Sequence, residues 1–173
     1  RLPNRRLFSD RLSQALLASS RSACFGAVIF LDLDNFKPLN DAHGHDVGDL
    51  LLIQVADRLK CCVREMDTVA RFGGDEFVVM LGKLDIDKAE SISQTEAIAE
   101  KLRAALCEPY SLNFVSHGDL DASVEYRCTA SIGIALFNYQ EASESEILRR
   151  ADRAMYQAKH AGGNQIRLFS QGS

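Results

Sequence analysis

Arg71-Phe72-Gly73-Gly74-Asp75-Glu76-Phe77 sets two glycines directly before two adjacent carboxylates, and the apolar run Phe77-Val78-Val79-Met80-Leu81 follows at once. Glycines between two apolar runs mark a hairpin, so Thr68–Phe72 and Phe77–Leu81 are expected to pair around Gly73-Gly74. Upstream, Val28-Ile29-Phe30-Leu31-Asp32-Leu33-Asp34 is a second apolar run that ends in acid. The stretch Ala27–Leu33 is almost unbroken in apolar residues, as a buried central strand should be. If the two acid-bearing strands are neighbours, Asp32 and Asp75 converge at one edge of the sheet. Asp32 and Asp34 are expected on opposite faces of their strand end, so that only one of them meets a ligand. Asp75 and Glu76 are likewise expected to alternate.

Helical patterns flank these strands. Leu7, Phe8, Leu12, Leu16 and Leu17 recur at helical spacing between Pro3 and Ser19, with Pro3 in the first turn. Leu51, Val55, Leu59 and Cys62 mark the buried stripe of a helix from about Asp46 to Arg64, after a loop from Asn35 to Gly48. A third helix runs from about Ala89 to Leu106 and stops before Pro109. Tyr110–Val115 and Val124–Cys128 read as a strand pair around the polar turn Ser116–Asp121, an inert loop whose Asp119 and Asp121 are solvated. Ala130–Phe137 is a further strand. Ser143-x-x-Glu146 is a capping box that opens the last helix, and Gly162 stops it. The order predicts an α/β (α+β) layout, a mixed sheet covered by helices, in one domain spanning 1–173.

Composition narrows the function. The 173 residues are 46% hydrophobic and 25% charged, with a net charge of −4, which argues against a broad grip on a nucleic acid. Five cysteines form no C-x-x-C pair and are expected to be reduced packing residues. No signal peptide and no membrane-length apolar run is present, so a cytoplasmic domain is expected. The chain begins at Arg1 and is expected to be a fragment, with a sensory segment or membrane anchor upstream.

The acids suggest metal chemistry. Hard oxygen ligands such as Asp32 and Asp75 suit Mg²⁺ or Mn²⁺ bridging substrate phosphates. In Asn40-Asp41-Ala42-His43-Gly44-His45-Asp46-Val47-Gly48-Asp49, a carboxylate and an amide are available for the edge of a guanine, with Asn40 and Asp49 as candidates. Asp46-x-x-Asp49 is equally the signature of a helix start. No G-x-x-x-x-G-K-[ST] run exists, which excludes a P-loop.

Taken in order, these motifs resemble a known family. The run Asp32-x-Asp34-x-Phe36-Lys37-x-x-Asn40-Asp41, then Gly44-His45-Asp46-x-Gly48-Asp49 and Gly73-Gly74-Asp75-Glu76-Phe77 match the GGDEF domain, the catalytic domain of diguanylate cyclases. So do Leu2-Pro3-Asn4-Arg5-Arg6, Ser131-Ile132-Gly133-Ile134-Ala135 and Arg150-Ala151-Asp152-x-Ala154-Met155-Tyr156-x-Ala158-Lys159. The resemblance implies a mainly antiparallel sheet flanked by helices, similar to the adenylyl cyclase and polymerase palm domains. It implies condensation of two GTP to cyclic di-GMP across a homodimer. Asp32, Asp75, Glu76 and the Leu33 carbonyl would hold the metals, with Asp32, Asp75 and Glu76 at the chemistry. Asn35, Phe36 and Lys37 would cradle phosphate with backbone N–H groups, together with Lys159. Gly73 and Gly74 would let substrate approach closely, and Asn40 and Asp49 would read guanine. Arg64-x-x-Asp67 resembles the family's inhibitory site for product; by itself the pattern is equally a local ion pair.

One position departs from the family pattern. Many relatives carry an arginine just before the Asn that follows the last helix, and here that position is Gly163. One phosphate contact is then missing, worth roughly 1.5–3 kcal/mol of binding, unless Arg167 supplies it. Two rival readings follow: a silent domain that binds GTP or cyclic di-GMP and regulates a partner, and a cyclase for another nucleotide.

Overall fold

A computed structural model describes residues 2–115, 121–140 and 143–171. The chain runs through α1 (Arg5–Ser22), β1 (Gly26–Asp34), α2 (Phe36–His43), α3 (His45–Cys62), β2 (Thr68–Gly73) and β3 (Glu76–Leu81). It continues through α4 (Lys88–Cys107), β4 (Tyr110–Val115), β5 (Asp121–Tyr126), β6 (Thr129–Phe137), α5 (Glu144–His160) and β7 (Gln165–Leu168). Among the described residues, five strands form one sheet in the order β2-β3-β1-β6-β7, and β4 pairs with β5 as a separate hairpin. All pairings in the large sheet are antiparallel except β6 with β7. The mixed, mainly antiparallel architecture expected from the motifs is therefore present.

Side-chain alternation on β1 sorts the core into two layers. Ala27, Ile29, Leu31 and Leu33 pack with Leu51, Val55 and Leu59 of α3 and with Leu102 and Leu106 of α4. Val28 and Phe30 pack the other way, with Phe8 and Leu12 of α1 and Ile147, Ala151 and Met155 of α5. Gly133 lets α5 press onto β6: a Cβ there would meet Met155 N at 2.1 Å and Ala151 O at 2.2 Å.

The structure corrects several local expectations. Asn35–Gly48 is not a loop: it contains α2, which Gly44 separates from α3. Pro38 falls in the first turn of α2, where a missing N–H costs nothing. Pro3 precedes α1, whose N-cap is Asn4, accepting from Leu7 N at 3.0 Å. The start of α3 is capped by Gly44, not by Asp46. The second hairpin strand is Asp121–Tyr126, registered by the pair Tyr110 and Tyr126; the turn residues 116–120, Asp119 included, lie outside those described. Strand β7 was not anticipated. Of the expected capping box, the N-cap half is present, with Ser143 Oγ accepting from Glu146 N at 3.3 Å, while the Glu146 carboxylate accepts from Arg149 and Arg150.

Candidate active site

The β1–β3 ladder delivers the acids to one place. Asp32 stands opposite Glu76 in register, and Leu33 N donates to the Asp75 carbonyl at 3.3 Å. The hairpin loop is Gly74-Asp75, one residue later than the glycine pair, with Gly73 at φ +143° and Gly74 at φ +50°. These conformations favour glycine. Asp75 therefore sits on the turn itself, near enough to Asp32 for its carboxyl to oppose ionisation there. From α5, Lys159 Nζ lies 3.0 Å from Asp32 Oδ1. That contact is an ion pair without hydrogen-bond alignment, and Oδ1 is otherwise buried with no hydrogen-bond partner.

Charge crowding follows from this arrangement. Burial, then the Asp75 carboxyl, pushes the Asp32 carboxyl from 3.8 up to about 7, against the pull of Lys159. Glu76 is also raised, by burial first and then by Asp152 and Asp75, with Arg5 and Lys159 opposing. Among the described residues no three His, Cys, Asp or Glu side chains gather into a metal cage. Mg²⁺ ordinarily takes one or two carboxylates and completes its shell with water and substrate phosphates. Two neighbouring carboxylates, with one buried oxygen that takes the Lys159 ion pair but no hydrogen bond, fit such an ion.

Asp32 and Asp34 do not face apart. Two residues along an extended strand share a face, and both carboxylates point to the α5 side. Asp34 is spent on structure: it accepts from Thr129 Oγ1 at 2.6 Å, Ser131 Oγ at 2.7 Å and Asn164 N at 2.9 Å. A Cβ on Gly163, at φ +73°, would stand 2.9 Å from Asp34 Oδ2. Asp34 thus clamps the turn after α5, the helix that carries Lys159. The Asp-x-Asp spacing beside Gly162-Gly163 was the available signal. Arg167 does not stand in for the missing arginine: it lies on edge strand β7, two strands from β1, with Nε donating to Gln165 Oε1 at 3.1 Å.

The remaining candidates surround this edge. Asn35 opens α2 in the left-handed region at φ 61°, with no side-chain cap, leaving first-turn N–H groups available at Phe36 and Lys37. Asn40 Oδ1 is buried without a hydrogen-bond partner and lies against Gly48, where a Cβ would meet it at 1.8 Å. Asp49 follows on α3 and lines a 560 Å³ hollow with Leu2, Pro3, Asn4, Leu52 and Phe77. Gly48 leaves room for this contact, which the sequence pattern does not reveal.

Arg64 and Asp67 meet each other. Arg64 N and Nε donate to Asp67 Oδ2 at 3.0 and 3.3 Å, and Arg64 Nη2 donates to the Gly82 carbonyl at 2.6 Å. Gly82 N donates to Asp67 Oδ1 at 3.3 Å, and the Asp67 side chain is fully buried while Arg64 is half exposed. Both border a 360 Å³ hollow that also touches Cys61, Ala97 and Lys101.

Comparison with known proteins agrees with this architecture. The family model for the diguanylate cyclase GGDEF domain matches residues 1–165. The bifunctional diguanylate cyclase/cyclic di-GMP phosphodiesterase MucR of Pseudomonas aeruginosa is 44% identical over 98% of this chain. Diguanylate cyclase TpbB of the same species is 38% identical over 96%. The chain spans only 22% of the length of MucR and 35% of that of TpbB. The crystal structure of the GGDEF domain of TpbB superposes with a TM-score of 0.84 at 36% identity, covering 99% of this chain and 98% of that one. The GGDEF domain of DgcB from Caulobacter crescentus, solved with c-di-GMP, gives 0.79 at 28% identity, covering 96% of this chain and 91% of that one.

Proposed function

Because the chain belongs to the diguanylate cyclase GGDEF domain family, we propose that it condenses two GTP into cyclic di-GMP and releases two pyrophosphates. The observation that carries this reading is the approach of Asp32 to Asp75 beside Lys159, with the buried Asp32 Oδ1 held by the Lys159 ion pair and by no hydrogen bond. Asp32, Asp75 and the Leu33 carbonyl are the proposed holders of Mg²⁺ or Mn²⁺. When bound, such an ion neutralises charge on the phosphates and lowers the pKa of the ribose 3′-hydroxyl. Glu76 supports the same centre. Asn40 and Asp49 bind the guanine, while the backbone N–H groups of Asn35–Lys37 and the Lys159 ammonium hold the phosphates. The open Gly73-Gly74 turn admits substrate without steric contact.

Each subunit orients one GTP, and two subunits face each other about a two-fold axis. The 3′-oxygen of one GTP attacks the α-phosphorus of the other, the bond to pyrophosphate breaks, and a second such attack closes the ring. A segment attached upstream brings the two copies together, in the cytoplasm or at a membrane. Product inhibition uses Arg64 and Asp67: the half-exposed arginine turns away from Asp67 to grip a product phosphate, and the freed carboxylate accepts from guanine.

Gly163 favours a second reading, a domain that binds GTP or cyclic di-GMP without turnover and regulates an attached domain. It lacks the arginine of many relatives, and its backbone and the Asp34 contact oppose a side chain there. Incubation with GTP, ATP and Mg²⁺, followed by chromatography and mass spectrometry, separates the readings. Cyclic di-GMP as the product supports the cyclase. Ligand binding with no cyclic dinucleotide at high protein concentration supports the silent domain.

A further inference from the structure

The β4–β5 hairpin, expected to be inert, reaches the loop that opens α2. Tyr126 Oη donates to the carbonyl of Asn35 at 2.6 Å, across 91 positions of sequence. At the other end of the same helix, His43 and Phe114 of β4 stand ring to ring, with centroids 6.5 Å apart. The hairpin therefore brackets α2, an eight-residue helix about 12 Å long. It is itself anchored: Gln54 Nε2 of α3 donates to the Ser111 carbonyl at 2.7 Å, and Tyr126 packs against the α3–α4 side of the core.

Asn35 needs such a hold. It is a non-glycine residue at φ 61° and ψ 29°, its side chain caps nothing, and it is exposed. The left-handed conformation is unfavourable for a side chain that does not bond locally, so the turn persists only where surrounding structure determines it. The Asn35 carbonyl and the next N–H belong to one rigid peptide plane. Fixing the carbonyl therefore fixes the direction of the Phe36 N–H, the first of the donors at this helix end. Burial raises the Tyr126 hydroxyl above the ordinary phenol range, so it remains a donor at neutral pH.

We propose that Tyr126 is a positioning residue for phosphate binding: its hydroxyl locks the Asn35 carbonyl and thereby aims the N–H groups of Asn35–Lys37. The hairpin then sets nucleotide affinity from outside the site. This rests on the reading of Asn35–Lys37 as the phosphate cradle.

Tyr126→Phe removes the hydroxyl and keeps the ring. Backbone amide hydrogen exchange at Leu39 and Asn40, the first amides of α2 bonded back to a carbonyl, should quicken about fivefold to tenfold, the loss of one hydrogen bond, while exchange in α4 stays unchanged and the melting temperature falls by no more than about 2–4 °C. The affinity of GTP with Mg²⁺ should fall by a similar factor, and in an active enzyme KM should rise with kcat nearly constant. Glu125→Gln, on the opposite face of β5, is the control and should change none of these. Unchanged exchange at Leu39 and Asn40 in Tyr126→Phe overturns the lock, whether or not the chain turns over GTP. Faster exchange with unchanged GTP affinity overturns the phosphate role and points instead at the reading of the cradle. A fall in affinity with exchange quickened throughout the molecule means a structural role only, and also overturns the proposal.

Discussion

At the scale of single residues, Asp32 carries the most exposed consequence of the site. Its carboxyl is raised to about 7 in the folded chain from 3.8, so between these values the folded state holds more proton than the unfolded one. Its contribution to stability is therefore greatest at low pH and falls as pH rises towards 7. In metal-free protein, the melting temperature of wild type minus that of Asp32→Asn should drop between pH 5 and pH 7.5. The expected drop is about 2–4 °C, or roughly 1 kcal/mol after solvent screening. Mg²⁺ should stabilise wild type at pH 7.5 and the variant much less; an unchanged difference would remove the crowding argument. Asp75→Ala should cut cyclic di-GMP formation at least about a hundredfold with the melting curve intact, and retained turnover would show the metal assignment to be wrong. Arg64→Ala should relieve inhibition by added cyclic di-GMP in a steady-state assay, and unchanged inhibition would clear Arg64 of that role. The proposed catalytic residues were legible because two acid-bearing apolar runs and a glycine turn occur together, in the order of the family's motifs. The role of Asp34 was not, since its partners Thr129, Ser131 and Asn164 are far away in the sequence.

At the scale of elements, the placement of Lys159 depends on how closely α5 lies on β6. Gly133 permits that approach, because a side chain would run into the backbone of Met155 and Ala151. Gly133→Val should push α5 outward, cost about 3 kcal/mol in urea unfolding, and weaken GTP binding by displacing Lys159. A fully stable variant would mean that α5 is free to shift. The long helices and buried strands were readable from their periodicity. Helix α2 was not, because eight residues containing a proline and followed by a glycine carry the composition of a loop. Strand β7 has four residues and no apolar run; it exists because the crossover through α5 brings it alongside β6 in parallel.

For the whole molecule, the proposed mechanism gives each chain one nucleotide site, whereas the ring needs two. At concentrations well below dimer formation, the initial rate should therefore rise with the square of chain concentration, and a fused dimerising segment should make it linear. A linear rate for dilute monomer, verified by light scattering, would contradict the two-subunit mechanism. Among the described residues no helix is long and apolar enough to cross a membrane. The bracket of α2 by the distant hairpin belongs to this scale too, since neither segment announces the other.

The order of letters alone determined the layered α/β plan, the acid-bearing strand ends, the glycine turn and the membership of a nucleotide-cyclising family. The first three depend on local periodicity and on residue types whose conformational or ligating properties need no partner; the membership rests on the ordered match of the motifs to the family. Only the folded chain decided that Asp34 holds a turn while Asp32 meets Asp75, that Arg64 rests on Asp67, and that Tyr126 grips Asn35. The physical reason is that the work of each such group is set by what stands within about 3 Å of it, and most of these neighbours come from elements far apart in the chain.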